Sequence, residues 1–114
     1  MLSRLRGQAA EQRAGLYLKS QGITLLYHNF KTPRGEIDLI GQEGSTLIFF
    51  EIKYRANTRF GAPQEMLKAP QIQRIRKTAL YFILQNPRFQ NAPCRFDLLA
   101  FTPKSPIEWL KDAF

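Results

Sequence analysis

Cysteine is almost absent from this chain: Cys94 stands alone among 114 residues. One thiol makes no intrachain disulfide and no cysteine zinc site, and it suits a reducing, cytoplasmic setting. Histidine is as scarce, with His28 alone, so no His/Cys set stands at zinc-ligand spacing. No run of about 18 apolar residues occurs, which argues against a membrane span. The N-terminal MLSRLRGQAAEQRAG carries charge but no apolar core, so it does not read as a secretory signal. No internal repeat or low-complexity tract is visible. Acidic residues are also in short supply: Asp plus Glu number 9 against 17 Lys plus Arg, for a net charge of +8.

What is present is a core and a field. Apolar residues make up 44% of the chain and aromatics 12%, the composition of a globular protein. The length suits one domain spanning 1–114 with one modest core. The positive charge is uneven. Residues 52–96 hold Lys53, Arg55, Arg59, Lys68, Arg74, Arg76, Lys77, Arg88 and Arg95 against one acid, Glu65. Such a field attracts a polyanion, and the expected partner is nucleic acid, DNA before RNA. The plainer alternative is a soluble protein of high pI with no such partner.

The apolar periodicity predicts the elements. Ala10, Ala14, Tyr17, Leu18 and Gln21 keep helical spacing over residues 3–21, and Gly22 supplies a stop. ITLLYHNFK (23–31) reads as a strand, TPRG as a turn, and EIDLI as a half-buried strand. GQEGS turns the chain, and the more continuously apolar TLIFFEIKY reads as a central strand covered on both faces. NTRFGAP is a loop. Ile72, Ile75, Ala79, Phe82 and Ile83 predict a helix over 71–85, with a short turn at 64–68 before it. NPRFQNAP is a loop, CRFDLLAFT a fourth strand, and IEWLKDAF a closing short strand or turn. The order is α-β-β-β-α-β. Three strands form an antiparallel meander, and the helical crossover allows the fourth to pair in parallel. The expected fold is an α/β mixed sheet with flanking helices.

The scarce acids are not scattered. RGEIDLIGQEGSTLIFFEIKYR (34–55) holds Glu36, Asp38, Glu43 and Glu51. Glu36 and Asp38, two apart, share one strand face, with Ile37 and Leu39 on the other. Glu51 and Lys53 share a face of the next strand. A hairpin centred between Gly44 and Ser45 sets Asp38 opposite Glu51. A hairpin centred one residue earlier makes them diagonal neighbours. In either register Asp38, Glu51 and Lys53 converge. Like charges at that range cost stability unless a cation lies between them. Lys53 is one candidate; a divalent ion is another. Carboxylates with waters suit Mg²⁺ or Mn²⁺, which leave positions open for phosphate oxygens. The competing reading is a solvated strand face with surface ion pairs.

An acid on one strand, a turn, then (Asp/Glu)-x-Lys on the next is the PD-(D/E)xK pattern. Asp38 and Glu51-Ile52-Lys53 match it, with isoleucine in place of the leading proline. More widely, EQRAGLYLKSQG, RGEIDLI, FFEIKYR, FGAPQEM, RFDLLAF and IEWLKDAF resemble, in order and spacing, the bacterial YraN-like family of endonuclease-like proteins. The resemblance covers nearly the whole chain. It implies a restriction-endonuclease-like fold and, less firmly, a nuclease. The chain is also similar to archaeal Holliday-junction resolvases in having an acid on the first helix. That singles out Glu11 as a third carboxylate near the metal; the alternative is a surface glutamate. Where this family usually carries lysine on the helix after the core, this chain has Gln71, which weakens the case for a second cationic group. Lys68, one turn earlier, is a substitute or a solvated lysine.

Arg34 beside Gly35 is either a turn residue or a phosphate contact, since the resemblance places both in the core motif. Tyr54, Arg55 and Arg59 follow the Glu-x-Lys and suit a nucleic-acid backbone, as does Arg74 in the basic region. Asp97, two residues from Arg95, reads as a structural ion pair or anchor. His28 reads as structural, and Trp109 and Phe114 as closing the core. The expectation is a metal-dependent nuclease: Asp38, Glu51 and Lys53 catalytic; Asp38, Glu51, Glu36 and Glu11 for metal; Arg34, Arg55, Arg59, Lys68, Gln71 and Arg74 for nucleic acid. The alternatives are a non-catalytic nucleic-acid-binding module acting with a partner protein, and a protein-interaction role. A homodimer is left open.

Overall fold

The computed structural model describes residues 2–55 and 67–114, with side chains from residue 7 onward. Helix α1 (Leu2–Ser20) is followed by strands β1 (Thr24–Thr32), β2 (Gly35–Glu43) and β3 (Thr46–Tyr54). Helix α2 (Ala69–Gln85), a 3₁₀ turn at Pro87–Phe89, strand β4 (Cys94–Phe101) and the three-residue strand β5 (Glu108–Leu110) complete the order. The sheet runs β1-β2-β3-β4-β5, antiparallel except for the parallel β3–β4 pair. This is the α/β mixed sheet with flanking helices that the sequence predicts, in the arrangement of the restriction-endonuclease-like fold. Arg59 and most of the loop ahead of α2, residues 56–66, lie outside the described residues.

Each helix covers one face. Ala10, Ala14 and Leu18 of α1 pack on Leu39, Ile48, Phe50, Leu99 and Phe101. Ile75, Ala79 and Phe82 of α2 pack on Ile37, Ile40, Leu47 and Phe49. Strand β3 therefore contributes to both cores, which is why its apolar run is unbroken. Leu47, Ile48, Phe49 and Phe50 are all buried, each worth roughly 1.5–3 kcal/mol relative to exposure. Trp109 packs on Tyr17 and Phe50, and Phe114 on Phe96, so both close the core. Among the described residues no helix is long and apolar enough to cross a membrane.

The helix ends follow from local chemistry. At the end of α1 the Ile23 amide donates to the Leu18 carbonyl and the Gly22 amide to Lys19. Gly22 takes φ +88°, the left-handed position such a cap requires. Helix α2 begins with Pro70 in its first turn, where a missing N–H costs nothing. Its last turn is capped by the Asn86 side chain, which donates to the Phe82 carbonyl at 2.8 Å.

Two departures from the expected pattern bear on the site. GQEGS is not all turn: Gly41, Gln42 and Glu43 belong to β2, and only Gly44 and Ser45 turn the chain. Gly41 is there for space, because a methyl group on it would come within 2.7 Å of Ile23. Nor do Ile37 and Leu39 share a face. Leu39 joins the α1-side core and Ile37 the α2-side core. On the neighbouring β1, Asn29 takes φ +53° although the pairing stays in register past it, and the one register shift falls between Leu25 and Tyr27.

Candidate active site

The hairpin register decides which carboxylates meet. Glu43 pairs with Thr46 and Leu39 with Phe50, so the turn is centred between Gly44 and Ser45. One further step sets Asp38 across from Glu51, the first of the two registers the sequence allowed. The β2–β3 ladder ends at Leu39 and Phe50, where the strands part. At that fork the Ile52 amide, which would have met a carbonyl of β2, donates to Asp38 Oδ2 at 2.8 Å. A side chain takes over from the backbone, and Asp38 is held in one orientation.

Glu51 is buried and Asp38 half-buried. Their carboxyl groups lie close enough for each to shift the other's hold on its proton. Burial pushes Asp38 up to about 6, against the pull of the Ile52 amide, and Glu36 and Glu11 push it further the same way. Burial and then the Asp38 charge push Glu51 up to about 8; Lys53 opposes this. Lys53 Nζ lies 3.9 Å from Glu51 Oε1, an ion pair rather than a hydrogen bond. A single ammonium at that range does not neutralise the pair. The fork thus keeps a proton on two acids in a partly dry place, and a strongly charged cation is the natural replacement for that proton.

Helix α2 closes one side. Gln71, Arg74 and Ile75 line a cavity of 230 Å³ together with Gly35, Glu36, Asp38 and Glu51. The close approach depends on Gly35: a methyl group there would stand 2.8 Å from Thr78 Oγ1 and 3.4 Å from Arg74 Cβ. Gln71 is half-buried and Arg74 exposed at the rim. Helix α1 gives this cavity no wall, but the charge of its Glu11 reaches Asp38. Glu11 is half-buried beside Ala14 and Leu18, as its spacing predicts, and Asn29 Nδ2 donates to its Oε2 at 3.0 Å. Asn29 is the residue sequence reasoning missed. Its signal was an asparagine inside an aromatic strand, a poor strand former that tolerates positive φ.

The other predicted residues are spread more widely. Glu36 is exposed at the mouth of the cavity. Arg34 is exposed in the β1–β2 turn, where its amide donates to Thr32 Oγ1. Lys68 is exposed at the start of α2, and Arg55 follows β3 with its amide donating to the Phe101 carbonyl. His28 is exposed and lines the groove between β1 and α1 with Glu11. Asp97 is the structural anchor expected of it, bound by Arg95, Trp109 and the Asp112 amide. Among the described residues no three His, Cys, Asp or Glu side chains stand close enough to form a metal cluster. The convergent set is Asp38, Glu51 and Lys53, with Glu36 and Glu11 at its margins. Two carboxylates still suit Mg²⁺, which commonly takes one or two and keeps waters and phosphates as its other ligands.

Fold and site together define an α/β protein with a carboxylate pair and a lysine at the fork of its sheet. The family model of "Uncharacterised protein family UPF0102" matches residues 10–101, and the chain belongs to that family, the YraN-like group. It is 43% identical over 109 residues to a UPF0102 protein of Francisella tularensis subsp. tularensis, covering 95% of this chain and 92% of that one. It is 44% identical over 108 residues to UPF0102 proteins of Shewanella denitrificans and Shewanella baltica, covering 95% of this chain and 97% of each.

Proposed function

We propose that this protein is a metal-dependent nuclease that hydrolyses phosphodiester bonds, with DNA as substrate. The observation that carries the reading is the Asp38–Glu51 pair at the strand fork, with Lys53 beside it. A surface decorated with charges would hold its acids apart in water. Here one is buried, the other is pinned by a backbone amide, and the two face each other.

Asp38 and Glu51 would hold Mg²⁺ or Mn²⁺, with Glu36 and Glu11 adding negative field. Such an ion, when bound, polarises a phosphate and acidifies a coordinated water. The chain's own groups do the rest. The Ile52 amide keeps Asp38 aimed into the fork. Lys53 is placed to orient the attacking water and to stabilise charge that develops on the phosphoryl oxygens. Gln71 and Arg74 on the helical wall meet the substrate backbone. Arg34, Arg55 and Lys68 extend the positive surface, so binding falls steeply with salt.

The test is cleavage of labelled duplex, single-stranded, flapped, four-way-junction and RNA substrates in Mg²⁺ or Mn²⁺, beside Glu51→Ala and Lys53→Ala. Cleavage lost in both variants supports the nuclease. Binding without cleavage, unchanged in both variants, gives the site to a non-catalytic module working with a partner protein.

A further inference from the structure

Helix α2 has a second face that the carboxylate site does not use. Leu80, Tyr81 and Leu84 stand 57%, 47% and 70% exposed on it. With Pro33 they wall a cavity of 560 Å³, to which Arg34 and Lys77 also belong. Contiguous exposed apolar surface of this kind marks a binding site more often than chance. Its position says for what. The tip of the β1–β2 hairpin rests on α2 at Gly35, against Arg74 and Thr78. Gly35 and Glu36 line the carboxylate cavity on one side of that contact; Pro33 and Arg34 line the apolar cavity on the other. From Arg74 to Tyr81 is seven residues, about 10 Å along the helix. At a rise of about 3.4 Å per nucleotide, that spans roughly two to three nucleotides of one strand.

We propose that this cavity seats an unpaired nucleobase a few nucleotides from the scissile phosphate, with Tyr81 as the stacking platform and Arg34 and Lys77 on the flanking phosphates. The inference rests on the nuclease reading and narrows its substrate to nucleic acid with unpaired bases near the cut.

Three observations support it. First, the platform is pre-set: the Tyr81 ring leans on Phe30 at 6.4 Å between centroids, and Gln85 Nε2 donates to its hydroxyl at 2.9 Å. A base stacks on such a ring whatever its sequence. Second, the walls are apolar and take a base by its face. In a duplex that face is covered by the neighbouring pairs, so the cavity selects against paired bases. Third, the charge fits a polyanion. Helix α2 has Arg74, Arg76 and Lys77 and no acid. A second copy docked on this face would bring Arg34 and Lys77 near their own kind. An acidic amphipathic helix of another protein would satisfy the charge, but gives no reason for the cavity to share the hairpin tip with the carboxylate site.

Fluorescence anisotropy tests this with the full chain in EDTA and low salt. The probes are a short labelled single strand and the blunt duplex of the same sequence, with 2-aminopurine at one position of the strand. The wild type should bind the single strand more tightly than the duplex and quench the 2-aminopurine. Tyr81→Ala should weaken the single strand roughly 10-fold, the loss of one stacked base, and abolish the quench, while Tyr81→Phe retains both. Both positions are exposed, and circular dichroism with a melt checks the fold. If both probes bind and Tyr81→Ala changes neither, the cavity is not a base site and the nucleic-acid reading survives. If the wild type binds no nucleic acid at all, that reading falls and the inference with it. A concentration-dependent dimer dissolved by Leu84→Glu, or an acidic helical peptide that the single strand does not displace, assigns the face to a protein and overturns the proposal.

Discussion

The sheet buries acid in two places, and it treats them in opposite ways. Asp97 on β4 is fully buried. Its oxygens accept from Arg95 Nε and an Arg95 terminal nitrogen, from Trp109 Nε1 at 2.8 Å and from the Asp112 amide at 2.8 Å. Every lone pair points at a donor, and one donor is a cation. At the fork, Asp38 has one amide and then another carboxyl group; Glu51 has that carboxyl group and a lysine at 3.9 Å. Asp97 is the more deeply buried and has a full set of donors; the fork is less buried and short of them. Asp97 is finished: it ties β4 to the C-terminal segment and asks for nothing else. The fork is left with two acids that hold a proton in place of a full set of donors. A protein keeps such a site against its own stability when something outside the chain completes it.

The largest effect should come from breaking the finished site. Asp97→Ala strands the Arg95 guanidinium, the Trp109 N–H and the Asp112 amide together. Removing one partner of a buried ion pair costs about 3–5 kcal/mol. For a chain of this size the melting temperature should drop by roughly 10 °C or more. Asp38→Ala, measured the same way without metal, orphans only the Ile52 amide and should cost less, about 1–3 kcal/mol. Equal losses in calorimetry would erase the distinction between the two sites.

Next in size is Gly35→Ala, which touches only the fork. The added methyl meets Thr78 Oγ1 at 2.8 Å and Arg74 Cβ at 3.4 Å, so α2 must move. Overpacking of this kind costs about 1–3 kcal/mol. Chemical shifts of Gln71 and Arg74 should change, while those of Trp109 and Asp112 stay put. A shift spread evenly over both regions would mean that the wall of the site is not separately held.

The third prediction uses pH. Asp38 and Glu51 sit above their ordinary values, at about 6 and about 8. A raised carboxylate means that the folded state holds the proton more tightly than the unfolded one. Its contribution to stability is complete below the ordinary values near 4 and is lost as pH rises through about 8. In EDTA the wild type should therefore become less stable between pH 5 and pH 8, roughly and monotonically. Glu51→Gln should flatten that slope and be the more stable protein at the upper end. A wild-type slope that survives Glu51→Gln would place its origin elsewhere.

Sequence carried much of this, for reasons that differ by element. The central strand was legible because TLIFFEIKY must feed two cores, and α2 because Ile75, Ala79 and Phe82 keep one face. The convergence of Asp38 with Glu51 followed from period-two geometry in either register. Choosing the register did not, since it depends on Gly44 at φ +58° and on Gly41 staying in the strand. A glycine needed for closeness looks the same in sequence as a glycine needed for a turn. The split of Ile37 from Leu39 was hidden because nothing in EIDLI marks where the alternation breaks. The cavity at Tyr81 was hidden because four positions of a helix and one hairpin tip form it together.

The smallest effect is also the most selective. At pH 8, millimolar Mg²⁺ or Mn²⁺ should raise the melting temperature of the wild type. A ligand present at tenfold its dissociation constant adds about 1.4 kcal/mol. The gain should vanish in Glu51→Gln and shrink near pH 5 in the wild type, because a proton and the cation compete for the same two carboxyl groups. Asp97 offers no such opening, and Lys104→Ala, an exposed change in the loop between β4 and β5, should leave the gain intact. NaCl at matched ionic strength separates binding from screening. If the gain persists in Glu51→Gln, or if NaCl reproduces it, the fork does not hold the ion. The contrast between a finished acid and an unfinished one would then need another explanation. If the gain follows the two carboxyl groups and pH as stated, what the fold leaves undone at Asp38 and Glu51 is what a divalent cation completes.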